Sequence, residues 1–164
     1  MKYLLEKRKE IFILFITFWI VPFIMFFFSL MDSSMKIEGT VNIYADNFET
    51  SVQIMKNNLF VCFLILLIGL VFKYAPMILY FYNSVLFSIT FLISLNQNGL
   101  NLTLTRLLPH AFLEVFGLAS FVILGIHLKN DFKSRKFHKG IIFTVVIIII
   151  AAFLESYISK SIIK

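Results

Sequence analysis

Between Ile11 and Met31 the chain runs for 21 residues without one charged side chain. That is the length an α-helix needs to cross the ~30 Å hydrocarbon core of a bilayer. Further apolar blocks follow over 59–95, 109–128 and 140–158, separated by short charged islands. With 60% apolar residues and 21 phenylalanines in 164 positions, a water-soluble globule would lack the interior to hide its hydrocarbon. The chain therefore reads as one membrane-embedded domain, 1–164, without an independent soluble part. A net charge of +6 would ordinarily raise nucleic acid as a partner. Here the basic residues flank the apolar runs, which is the pattern of topology signals and contacts with membrane lipids rather than of a nucleic-acid surface.

The fold class that follows is all-α: a polytopic transmembrane bundle of about five helices, at about 11–31, 59–72, 76–95, 109–128 and 140–158. Lys2, Lys7, Arg8 and Lys9 before the first run resemble a secretory signal. The run exceeds a signal core of ~7–15 residues and no small-residue cleavage site follows, so it reads as a retained helix. Pro22 marks a kink in it, acceptable where neighbouring helices satisfy the freed backbone groups. Residues 32–57 read as an outer amphipathic loop lying partly on the headgroup surface. The block 59–95 is too long for one crossing and divides at Lys73-Tyr74-Ala75-Pro76, leaving a short second helix that spans, by extension through Asn57 and Asn58 or by thinning the bilayer, or re-enters. Residues 96–106 read as a polar loop, with Pro109 in the first turn of the fourth helix. Ten of the fifteen lysines and arginines fall on one side of this arrangement, which predicts the N-terminus inside and the C-terminus outside. Cys62, the single cysteine, lies in an apolar run and reads as a packing residue.

An ionisable side chain inside a bilayer costs about 2.5–3.5 kcal/mol on insertion scales, so each one calls for a partner or a purpose. Glu114 and Glu155 are embedded in the fourth and fifth helices. His110 is one turn from Glu114, on the same helix face. The predicted topology brings His110, Glu114 and Glu155 to similar depth in the outer leaflet, joined by Asn57 and Asn58, with Asn83 nearer mid-membrane. Three readings stand side by side. His110, Glu114 and Glu155 supply three N/O ligands, the donor set of a hydrolytic zinc centre with an open position. Alternatively they form a protonatable relay. The third reading is an interhelical hydrogen-bond network that sets helix packing. His127, Asp131 and His138 read as solvated interface residues. Gly117, Ala119, Ser120 and Gly125 read as sites of close helix contact.

Several of these residues occur in an order that resembles the stage II sporulation protein M family of membrane proteins. They are Asn57-Asn58 opening an apolar helix, Asn83-Ser84 followed by Ser88, Pro109-His110 with Glu114, and the stretch from Ala151 to Ile158 that carries Glu155. Ser84 and Ala111 stand where the family pattern has glycine. The resemblance implies that Asn58, Asn83, His110, Glu114 and Glu155 are the family's polar positions. It implies two kinds of role: a membrane anchor in a peptidoglycan-remodelling complex, or a small component of circular bacteriocin production. This short, Phe-, Ile- and Lys-rich chain is more similar to the second kind.

The expectation is a multi-pass component of the bacterial cell membrane in circular bacteriocin maturation, export or self-protection. It would handle a hydrophobic peptide at the polar cluster, with Asn57, Asn58 and Asn83 binding substrate. As an enzyme it would be an intramembrane metal-dependent peptidase or peptide cyclase, using His110, Glu114 and Glu155. As a non-enzyme it would be an anchor or a permease subunit. No phosphate-binding GxxxxGK[ST] loop occurs in the sequence, so an ATP-driven step would belong to a partner ATPase subunit.

Overall fold

Each apolar run folds as a helix because, in hydrocarbon, a helix satisfies its own backbone hydrogen bonds. The computed structural model describes residues 2–31 and 47–161, and these are helical almost throughout, with no strand among them. In order they are α1 (Lys2–Glu6), α2 (Arg8–Met31), α3 (Asn47–Val71), α4 (Ala75–Asp131) and α5 (Arg135–Ser161). Within α4, Gly99 has φ 75° and ψ 169°, a combination essentially reserved for glycine. Ser94 and Thr103 hydroxyls meet at 3.1 Å across it, whereas a continuous helix would hold them ~13 Å apart. The chain therefore reverses at Gly99, and α4 is a hairpin with a first arm, 75–98, and a second arm, 100–131.

Among the described residues five helices are long and apolar enough to cross a membrane, as the hydropathy pattern predicts. Two boundaries differ from the prediction. The second crossing is no short segment at 59–72: it belongs to α3 from Asn47 to Val71, and 51–71 is long enough to span. The stretch 47–57 is therefore helical and not a surface loop, while 32–46 lies outside the described residues. The polar segment 96–106 is also helical apart from Gly99, so Pro109 sits inside a helix and not in its first turn. Both segments look like loops in sequence for the same reason: their Asn, Gln and Thr residues interrupt the apolar pattern, yet they continue helices that the apolar part has already nucleated.

The second arm of α4 is the axis of the bundle. Of its most apolar stretch 72% is buried, against 22–33% for the other four crossings. The others turn large apolar side chains outward, among them Phe12, Phe23, Ile78 and Ile142, each more than 60% exposed. An apolar exterior this extensive belongs in lipid.

Small residues let the helices close on this axis. A Cβ on Gly69 would lie 2.5 Å from the carbonyl oxygen of Gly125, so α3 and the second arm touch backbone to backbone. A Cβ on Gly117 would collide with Ile148 of α5, and Ala119 and Ser120 are fully buried, as read from the sequence. On the other side, α2 and the first arm of α4 run parallel and are joined by hydrogen bonds. Tyr80 donates to the Leu14 carbonyl at 2.7 Å and Ser84 to the Phe18 carbonyl at 2.6 Å. Phe18 is four residues before Pro22, which has no N–H to offer it. Ser84 therefore satisfies the carbonyl that the proline leaves open. Cys62 is buried and free.

At the end of the bundle where α2, α4's first arm and α5 begin, α1 folds back on α5. Tyr3 donates to Asp131 at 2.8 Å and stacks its edge on Phe137. Burial and the neighbouring Asp131 carboxylate raise the Tyr3 phenol above its ordinary pKa. His127 lies 3.4 Å from Glu10 and Lys136 3.1 Å from Glu6. Asp131 and His127 thus hold the N-terminal segment in place besides sitting at the interface, a pairing with no signature in local sequence.

Gly69→Ala is expected to lower stability by about 1–3 kcal/mol, because the added methyl meets a backbone oxygen that cannot rotate away. Thermal unfolding in detergent, beside the wild type, measures it.

Candidate functional site

Two registers bring the polar residues together. Gly69 meets Gly125 and Asn58 meets Glu114, so along α3 and the second arm each residue faces one a constant distance ahead in sequence. The two helices are parallel, and their seam ends in a side-chain bond in which Asn58 donates to the Glu114 carboxylate. The second arm and α5 are antiparallel: Gly117 packs on Ile148, and two turns away His110 Nε2 lies 4.0 Å from Glu155 Oε1. His110 is 3% and Asn58 8% exposed, whereas the Glu155 side chain retains 31%. The carboxylates of Glu114 and Glu155 are close enough to repel one another.

These contacts border one cavity of about 680 Å³, a size ordinary for a small-ligand site. All six residues singled out from the sequence line it: Asn57, Asn58, Asn83, His110, Glu114 and Glu155. Asn83 is half-buried and donates to the Leu79 carbonyl of its own helix at 2.8 Å. One wall is α3 through Gln53, Lys56, Asn57 and Phe60, and the facing wall is the first arm through Asn83, Leu86, Phe87 and Thr90. Each set has the i, i+3, i+4, i+7 spacing of a single helix face. The second arm forms the floor. Beside the cavity, the hydroxyls of Ser51 and Ser156 hydrogen-bond across α3 and α5, which fixes the height of Glu155 next to Ser156.

Gln53, Lys56 and Thr90 were not among the predicted site residues. Reading 47–57 as a surface loop hid the first two. The signal was present all the same, because Gln53, Asn57 and Phe60 repeat at helical spacing with Lys56 between them.

The arrangement bears on the metal reading as well. Among the described residues no group of three or more His, Cys, Asp or Glu side chains is placed to hold a metal ion. Glu114 is engaged by Asn58 and His110 by Glu155. As placed, they form an acidic, hydrogen-bonding pocket.

The family model described as stage II sporulation protein M matches residues 11–160, which takes in all five crossings and every lining residue of the cavity. The chain belongs to the stage II sporulation protein M family. No curated protein and no solved structure gives a significant match. Membership together with five apolar helices makes this a multi-pass membrane protein. At Ser84, where the resemblance leads one to expect glycine, this family member has a fully buried hydroxyl bound to α2. At Ala111 the methyl is fully buried.

Asn58→Leu is expected to cost about 1–3 kcal/mol, since it leaves a carboxylate without its donor. Replacing both partners, Asn58→Leu with Glu114→Leu, should recover most of that loss. A double mutant no more stable than Asn58→Leu alone, by thermal unfolding in detergent, would contradict the pairing.

Proposed function

We propose that this family member is a component of circular bacteriocin maturation, export or self-protection in a bacterial cell membrane, and that it handles a hydrophobic peptide in the cavity between α3 and α4. One observation carries the reading: a roomy, polar, acidic cavity is built into helices whose outer surfaces are made for lipid. A purely structural bundle gains nothing from keeping two carboxylates beside an open space at membrane depth, where each costs free energy. An amphiphilic guest from the bilayer uses such a space, with apolar walls at Phe18 and Phe87 and hydrogen-bonding groups at Asn57, Asn58 and Asn83. The bacteriocin assignment is supported by the likeness of a short, Phe- and Ile-rich chain to the small members of the family.

The orientation that fits this role has the lysine- and arginine-rich end at the cytoplasm and the cavity toward the outer leaflet. Any ATP-driven step would come from an ATPase partner. A specific observation favours a second reading, the anchor: Asn58 and Glu114 satisfy one another, as they would in a network that only fixes helix packing.

A photo-reactive amino acid at Leu86, in the cavity wall, should cross-link a co-expressed hydrophobic precursor peptide, and one at the lipid-facing Ile142 should not. Equal or absent adducts at the two positions would remove the peptide reading. If Glu114→Gln then abolishes product formation while leaving the Leu86 adduct intact, the site is enzymatic and not merely a binding site.

A further inference from the structure

The cavity has an opening and a charge imbalance, and the two together specify its guest. On α3, Gln53, Lys56, Asn57 and Phe60 are exposed, and on the first arm of α4 so are Leu86 and Thr90, although all of them line the cavity. Phe60 is 59% and Leu86 42% exposed. Large apolar side chains at a mouth face hydrocarbon more favourably than water. The opening between α3 and the first arm is therefore lateral, into the bilayer.

Inside, the lining side chains comprise two carboxylates, Glu114 and Glu155, the His110 imidazole beside Glu155, and a single lysine, Lys56, which is at the exposed rim. With both acids ionised and the imidazole neutral the cavity lacks one positive charge. Asn58 supplies a hydrogen bond to Glu114 but no charge. A buried carboxylate pair is stable when a cation with several donors sits between its members.

We propose that the cavity receives the free amino terminus of a membrane-dissolved peptide, entering sideways between Phe60 and Leu86, with its ammonium group set against Glu114 and Glu155. This rests on the peptide reading above and narrows it. An α-ammonium group is charged at neutral pH, with a pKa of about 7.7–8.0, and carries three donors on a compact centre. A lysine side chain in the same peptide would snorkel back to the headgroups on its long stem. The amino terminus has no stem and must be matched where it lies. The volume of about 680 Å³ suits the end of a chain, whose apolar body remains in lipid.

The protein carries its own reporter. Trp19 is the single tryptophan, and its ring lies 5.9 Å from that of Phe18 and 5.5 Å from that of Phe87, both of which line the cavity. The test is quenching of its fluorescence in phosphatidylcholine nanodiscs by a short leucine-rich peptide bearing one bromophenylalanine. The peptide is supplied with a free or an acetylated amino terminus. The free peptide should quench saturably, about tenfold more tightly than the acetylated one, and Glu155→Gln should erase that preference. Saturable quenching by both forms alike would overturn the ammonium contact and leave the peptide reading standing. No saturable quenching by either would overturn both. Loss of the free peptide's quenching when phosphatidylethanolamine replaces phosphatidylcholine would assign the site to a lipid amine and overturn the peptide as its occupant.

Discussion

The arrangement of the bundle depends on the backbone-to-backbone contact between Gly69 and Gly125. In a bilayer the hydrophobic effect does not drive helices together, so packing rests on how near their backbones can come. Without a Cβ on either residue, α3 lies directly on the central arm of α4, and Pro76 at the start of the first arm packs on the same glycine. That contact sets the parallel register of α3 against the arm. Three turns away the same register delivers Asn58 to Glu114, where the helices meet through side chains and no longer through backbone. The cavity begins where the backbones have stopped touching.

The reversal at Gly99 does comparable work at the other end. A tight helical hairpin brings Asn83, on the first arm, back beside His110 and Glu114, on the second. Ser94, Asn98 and Thr103 close the hairpin with their own hydrogen bonds, which spares the polar segment from seeking partners elsewhere. Since α4 presents both a wall and the floor, α3 the opposite wall and α5 Glu155, the site depends on four helical segments whose polar faces have no reason to meet until the turn and the glycine contacts place them.

Most buried hydroxyls in this bundle are paired across helices or back onto their own turn, while the Trp19 indole N–H has no partner among the described residues. Ser84 answers the carbonyl that Pro22 strands, Tyr80 reaches Leu14, and Ser88 and Thr144 bond to the residue four before them. Against that economy the cavity stands out, because it gathers two carboxylates, an imidazole and several amides beside open space. The residues of the cavity are distinguished from those that complete the packing by this surplus and not by residue type.

Much of this was legible in the chain itself. Four apolar blocks, one of them too long for a single crossing, dictate a bundle of about five helices, because an unsatisfied backbone is too costly in lipid. The cost of Glu114 and Glu155 in the same medium, with His110 one turn away, marks the cluster before any contact is known; Asn57 and Asn58 join it at matching depth, and Asn83 lies nearer mid-membrane. Helix ends were less legible: 47–57 and 96–106 are polar enough to read as loops, and their helical state comes from continuation of neighbouring turns. The share of Gln53 and Lys56 in the cavity went unseen with it. What only the tertiary structure decided is the partnership: Asn58 with Glu114, His110 with Glu155, Tyr3 with Asp131. Hydropathy fixes depth along the membrane normal but carries no information about rotation or neighbours around it. Those follow from where two glycines allow backbones to touch.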